Sequence, residues 1–448
     1  MQEQSAENRP LAVDPVGRLL VRLSLPAILG MLVQASYNFI DAVFIGRAVG
    51  PSGLAAISVA FPVQLLLGAV ATTIGVGGAS VVSRSLGAEE PDRADRALFT
   101  VALLSVFLGL VVLAAGLAQR EHLAALFGAS GVVTARTVEF LDVIFLGAPL
   151  FCFSMAANAL IRAEGNARTA MASLLVSVAV NILLAPPLLF QAKMGMRGAA
   201  IATVAGQGAS ALWVFLHFFL RRGALRFRRR LAAPRPEMVG EIFLVGSSEF
   251  VRLGAASVIV GILNNSLLAY GGEESVAVYG IVNRSLSLSF MCLFGIAQGM
   301  QPVLGFNYGA ALMVRARRVM LLAVEAASIV SSLSCLVYFL FPEPIVRFFT
   351  DDAALVAGSV SAMRLVVPAY WIAGFQITGS AAFQAIGKGG YSLVLSLSRQ
   401  VLLLLPFLYV FPRIWGLAGV WLVFPTADIL SALVTLVFFL REWKRLRA

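Results

Sequence analysis

Long apolar stretches separated by short polar ones dominate the chain. A helix crosses a bilayer core with ~20 apolar residues. Twelve stretches reach that length, at about 18–46, 52–81, 97–118, 136–162, 169–190, 196–220, 238–268, 275–304, 316–341, 358–386, 391–411 and 415–440. Several exceed the minimum, which allows tilt or extension past the membrane. The connecting segments are short, so successive helices run antiparallel. The pattern predicts an all-α polytopic membrane protein with twelve transmembrane helices.

Polar residues inside such stretches carry the chemistry. Within LVQASYNFIDAVFIG, Gln34, Tyr37, Asn38 and Asp41 stand at i, i+3, i+4 and i+7, on one helical face. A carboxylate deep in a bilayer is costly and normally faces an internal cavity. Asp41 therefore reads as a proton or cation site, or as an acid that stabilises a helix end near the interface. The tenth stretch carries Gln376, Ser380 and Gln384 at i, i+4 and i+8. Two further acids are second-rank candidates. Glu249 is expected at the start of the seventh stretch, paired with Arg252 three residues on, and Asp428 lies one turn after Pro425. Prolines recur within the stretches, as at Pro26, Pro62 and Pro302, where each removes a helical hydrogen bond and favours a kink.

The two halves repeat. Gly87-Ala88 matches Gly309-Ala310 and Gly165 matches Gly387, both at an offset of 222, while Gly195 and Gly198 match Gly416 and Gly419 at 221. An even number of helices per half gives both halves the same orientation, a parallel repeat about an axis along the membrane normal. Substrate then belongs between the halves. By the same offset, Ser154 and Asn158 correspond to Gln376 and Ser380, which suggests a polar stripe toward a cavity from each half. Gln34, Gln207, Asn283 and Gln298 are assigned to the same cavity.

Composition agrees: 59% of the 448 residues are hydrophobic and 13% charged, against about a quarter charged in soluble chains. The net charge of +11 does not point to nucleic acid, because the basic residues fall in short loops. With both termini cytoplasmic, 22 of the 34 Lys and Arg lie inside, 7 outside and the rest within helices. The chain then divides into a tail (1–17), a first lobe (18–220), a basic cytoplasmic linker (221–237), a second lobe (238–440) and a basic tail (441–448). The linker anchors topology or meets anionic lipid heads. Cys152, Cys292 and Cys335 and the isolated His122 and His217 form no metal-ligand spacing. No cofactor is expected, and no metal beyond a possible Na+ at Asp41. No paired-His site, serine nucleophile motif or phosphate loop supports an enzyme, and no repeated filter motif supports a channel.

The segments YNFIDAVFIG (37–46), RAEGNARTAM (162–171), GMRGAAIATV (195–204), GIAQGMQPVLGFNYGA (295–310), FQAIGKGGYSL (383–393) and SRQVLLLLP (398–406) together resemble the multidrug and toxic compound extrusion (MATE) family, of the DinF-like or NorM-like bacterial and archaeal type. The resemblance runs from about Leu20 to Leu440. It implies two six-helix lobes in the cytoplasmic (inner) membrane and export of amphipathic, often cationic, compounds by a monomeric antiporter driven by H+ or Na+. Carried over by residue, Asp41 matches the first-helix acid, Asn181 the fifth-helix Asn and Thr203 the sixth-helix Thr of an ion site that Tyr37 and Asn38 would join. Ala185 stands where the family often has Asp, so a two-carboxylate proton trap cannot operate here. A competing reading on a similar architecture is a flippase for a lipid-linked or polyprenyl-linked substrate.

Overall fold

A computed structural model describes residues 11–228 and 233–445. The remaining residues, including much of the 1–17 tail, part of the basic linker and the last three residues, lie outside the described residues. The described chain is helical throughout. The first half holds α1 (Val16–Val49), α2 (Pro51–Gly87), α3 (Pro91–Leu126), α4 (Val132–Leu146), α5 (Ala148–Ala163), α6 (Ala167–Pro186) and α7 (Gly195–Phe219). The second holds α8 (Pro236–Gly309), α9 (Met313–Leu340), the short α10 (Pro342–Arg347), α11 (Ala353–Val366), α12 (Ala373–Ala385), α13 (Gly389–Leu397) and α14 (Leu405–Arg445). Proline opens α2, α3 and α8, where its missing N–H costs nothing. The side chains of Asn166 and Asp352 cap α6 and α11.

Two continuous elements are each two membrane passes. Gly272 (φ 69°) breaks α8 and Gly416 (φ 56°) breaks α14. Conversely α4 and α5 form one pass bent by 56° at Gly147, and a 3-10 turn, Val367–Ile372, joins α11 to α12. Counted this way the described chain makes twelve passes, six per half.

The repeat is visible in the backbone. Left-handed corners recur at Gly50 and Gly272, Glu89 and Ala311, Gly165 and Gly387, and Gly195 and Gly416. The bend at Gly147 corresponds to the 3-10 turn in the second half. Hydrogen bonds repeat as well. Ser154 donates to Ser210 at 2.8 Å, and its counterpart Gln376 donates to Ser431. Asn158 donates to Ala170 O, and the equivalent Ser380 meets Ser392.

The lobes close on one another at one end only. There the turn after α2, the start of α8 and the turn after α8 meet. An added Cβ at Gly87 would overlap Phe306 O, and one at Gly309 would overlap Arg84 O. These two contacts are related by the repeat. The inter-lobe side-chain hydrogen bonds between described residues gather at the same end: Ser80 to Gln384 O at 2.5 Å, Arg84 and Arg93 to Glu241 at 2.8 and 3.0 Å, and Asn307 to Leu11 O. Residues 224–228 are docked here too, against expectation for a linker. Leu225 is fully buried, its N–H donates to Glu164, and Arg228 pairs with Asp92 and Asp95. Away from this end the outer helix faces present large apolar side chains such as Phe39 and Leu183, as lipid requires.

A valine at Gly309 should strain this closure by about 1–3 kcal/mol, the ordinary cost of overpacking. Gly240→Ala, where the added Cβ meets open space, should change stability by less than about 1 kcal/mol. Thermal unfolding of both variants in one detergent checks the contrast.

Candidate functional site

Two polar sites lie inside the apolar body. The first is within the first lobe. α1 and α6 are both odd-numbered passes and run parallel, with α7 antiparallel beside them. Asn181 Nδ2 donates to Tyr37 Oη and to Thr203 Oγ1 at 3.2 Å each. Thr203 gives its own proton to Ala199 O at 3.1 Å, so in the 3.2 Å contact between the two hydroxyls Tyr37 is the donor. Asp41 sits one turn beyond Tyr37, 9% exposed, and no donor of the described residues reaches its Oδ1. Because α1 and α6 are parallel, Ala185, one turn beyond Asn181 and fully buried, falls at the level of Asp41. The structure thus gathers Tyr37, Asp41, Asn181 and Thr203. Asn38 does not join them; it is exposed, because a residue next to Tyr37 is turned by about 100° around the helix.

The second site is a cavity of about 590 Å3 between the lobes, bounded by α2, α5, both halves of α8, α12 and the α13 region. Asn283, Gln298, Gln376 and Ser380 line it, as expected from the polar stripes. Gln34 and Gln207 do not. Ser154 and Asn158 do not line it either: both are buried inside the first lobe, Ser154 against Ser210 and Asn158 against Ala170 O and Ser173. The cavity face of α5 is instead Met155, Ala159 and Arg162.

Glu249 is not at a helix start. It lies well inside α8, lines the cavity, and is held by Arg252 at 2.5 Å and by Gln384 at 2.9 Å. Gln384 is a hub, bonded to Ser248 and Gln301 as well. Asp428 is a structural partner rather than a cavity acid: it accepts from Arg399 at 2.7 Å, and it is Arg399 that lines the cavity. The sequence reading missed Arg162, Arg252 and Arg399 as cavity residues. For Arg252 and Arg399 the signal was present, since both interrupt apolar stretches, a costly placement that marks an internal polar site. Arg162 stands at the very end of its stretch and reads as a cytoplasmic-side residue.

A pair of six-pass bundles related by a repeat and closing on a polar cavity is the form of a membrane transporter. The MatE family model matches residues 26–186 and 255–410, and the chain belongs to this family of multidrug efflux transporters rather than to any enzyme family. It is 27% identical to the "Multidrug export protein MepA" of Staphylococcus aureus (strain MRSA252), over 96% of this chain and 95% of that protein. Among solved structures it resembles the MATE multidrug transporter DinF-BH (TM-score 0.89, 36% identity, 95% of each chain). It also resembles an outward-facing MATE family transporter (TM-score 0.92, 28% identity, 98% of each chain).

Asn181→Ala should leave Tyr37 Oη without its donor and cost about 1–3 kcal/mol, the penalty for a buried polar group deprived of a partner. Asn38→Ala should cost less than about 0.5 kcal/mol as an exposed substitution. Melting temperatures of the two purified variants distinguish them.

Proposed function

We propose that the protein is a monomeric antiporter of the cytoplasmic membrane that exports amphipathic drug-like compounds by alternating access, driven by H+ or Na+ entering at Asp41. One observation carries the reading: a buried carboxylate whose Oδ1 no described donor reaches, beside the Tyr37–Asn181–Thr203 triangle. Such a group is stabilised by taking up a proton or a small cation. The side-chain oxygens of Asp41, Asn181 and Thr203 are donors suited to Na+ as well. With Ala185 in place of a second acid, the site acts through one carboxylate. Closure at the end bearing the docked linker segment supports an outward-facing state with both termini cytoplasmic, and the likeness to an outward-facing relative fits it.

The mechanism requires that the coupling ion and the exported compound favour different lobe arrangements, because a ligand shifts an equilibrium only through differential affinity. Tyr37, one turn before Asp41 on α1, bonds to Asn181 of α6 and Thr203 of α7. α1 also packs on the opposite lobe, where Gly295 and Gly299 of α8 abut the backbone of Ile28 and Ser24. Occupancy at Asp41 therefore acts on a helix that belongs to both the ion site and the closure. Pro26 lies between these contacts and supplies a point of flexure.

Asp41→Asn keeps size and most hydrogen bonding but removes the charge. In proteoliposomes with an imposed pH or Na+ gradient, efflux of ethidium should fall to the rate of protein-free vesicles, while drug binding is retained. Wild-type efflux by this variant would exclude the site. Ala185→Asp, which restores a second carboxylate at that level, should shift the pH or Na+ dependence of transport through coupling of two acids; an unchanged dependence would show that position 185 does not face Asp41. For topology, single cysteines in a cysteine-free background should react with an impermeant maleimide added outside at Ser130 but not at Glu89. Labelling at Glu89 alone would invert the assigned orientation.

A further inference from the structure

The charged side chains lining the central cavity do not balance. Glu249 and Arg252 form a pair at 2.5 Å, and Arg399 is matched by Asp428 at 2.7 Å. Arg162 lines the same cavity, and no carboxylate of the described residues lies within ion-pair distance of it. Among the described residues it makes one hydrogen bond, to Asn158 Oδ1. Asn158 is itself fixed, its amide donating to Ala170 O at 2.8 Å and to Ser173 Oγ at 2.6 Å. That arrangement turns the Asn158 carbonyl toward the guanidinium and holds it in place.

An arginine has five N–H donors in a planar fork. Those not used on Asn158 are not sealed in protein and give onto the cavity. Arg162 occupies the last turn of α5, toward the end at which the lobes close, and shares the cavity lining with Ser80, Ser83 and Gln384. The helix dipole favours a cation at that terminus, but it does not explain a fork directed into a cavity. Several other basic residues at this end of the molecule are paired with carboxylates: Arg84 and Arg93 with Glu241, Arg228 with Asp92 and Asp95, and Lys388 with Glu442. Uncompensated positive charge in a site of low dielectric attracts an anion strongly, and the arginine fork matches a carboxylate in a bidentate way. Phe290, Phe294 and Met155 supply an apolar wall to the same space.

We propose that Arg162 is the recognition residue for a carboxylate carried by the exported compound, so that the preferred substrates are aromatic amphiphiles bearing a carboxylate, zwitterions included, rather than simple organic cations. Asn158 is the positioning residue. The proposal rests on the export reading above and specifies its substrate class.

The test uses two dyes that differ at one group. Rhodamine 110 carries a free carboxylate, and rhodamine 123 is its methyl ester. Binding to the purified full chain is followed by fluorescence polarisation, and efflux is followed in proteoliposomes. Wild-type protein should bind rhodamine 110 about tenfold more tightly, an affinity ratio worth about 1.4 kcal/mol. Arg162→Gln should remove that preference by weakening rhodamine 110 alone. Arg162→Lys, which keeps the charge, should retain a preference for rhodamine 110. Equal affinity of wild type for the two dyes overturns the proposal without any variant, as does an Arg162→Gln protein that weakens both dyes alike or an Arg162→Lys protein that binds them equally. Wild-type vesicles that export both dyes without preference sink the carboxylate site alone. If neither dye is bound or exported, the export reading fails with it.

Discussion

The structure depends on two backbone contacts across the pseudo-two-fold, Gly87 against Phe306 O and Gly309 against Arg84 O. A side chain at either position would hold the lobes apart at that end and leave the cavity open through the protein. Glycine allows the helices to meet backbone to backbone, as small residues do in membrane helix packing. Such a contact is held by dispersion, without a directional bond that must be broken. The ion pairs of Glu241 with Arg84 and Arg93 lie at the partly exposed rim, where pairs contribute roughly 0–1 kcal/mol each. Closure of this kind combines close backbone packing with a few directional bonds, the buried Ser80–Gln384 O and Asn307–Leu11 O contacts among them. That combination suits the proposed alternating-access cycle, whose two arrangements must stay within a few kcal/mol of each other.

The scaffold is symmetric and its chemistry is not. Corners, bends and intra-lobe hydrogen bonds recur at an offset of 221 or 222, yet the polar content at matched positions diverges. Asp41 and Tyr37 correspond to Leu263 and Ile259, both buried apolar residues. Arg162 corresponds to Gln384, which is fully engaged with Ser248, Glu249 and Gln301. The second lobe thus has no acid at the position of Asp41, and its cavity charges are paired internally. Both the unpartnered carboxylate oxygen and the unpaired cavity arginine belong to the first lobe.

The passes and the repeat were legible in the sequence because they rest on apolar length and on glycines that only a left-handed corner requires. Tyr37, Asp41, Asn181 and Thr203 were legible because i, i+4 spacing and a family motif placed them together. What the sequence could not give was which neighbour a helical face meets. Ser154 and Asn158 read as one polar stripe, but at 3.6 residues per turn a row that continues at i+8 to Arg162 rotates by about 80° over eight residues. Its first two members therefore turn into the lobe while the third turns to the cavity. A single step of about 100° around the helix separates Asn38 from Tyr37. For Glu249 the expected position at a helix start did not follow from the stretch itself, which already runs from 238; α8 begins at Pro236, thirteen residues before the acid, and Glu249 is deep in the helix.

These placements give the proposed cycle a physical route. α6 and α7 carry Asn181 and Thr203 of the proposed ion site, and the same two helices anchor α5, through Ala170 O and Ser173 on α6 and Ser210 on α7. Asn158, held by α6, in turn holds Arg162. A change at Asp41 that moves α1 against α6 and α7 therefore bears on the helices that fix the arginine in the cavity. No residue in this path needs to pass a proton to the exported compound. What the path requires is that α1 sit differently with Asp41 filled and empty, since coupling through packed helices needs an element with two arrangements that both sites bias. α1, with Pro26 inside it and its first half packed against the opposite lobe, is the element that meets both conditions.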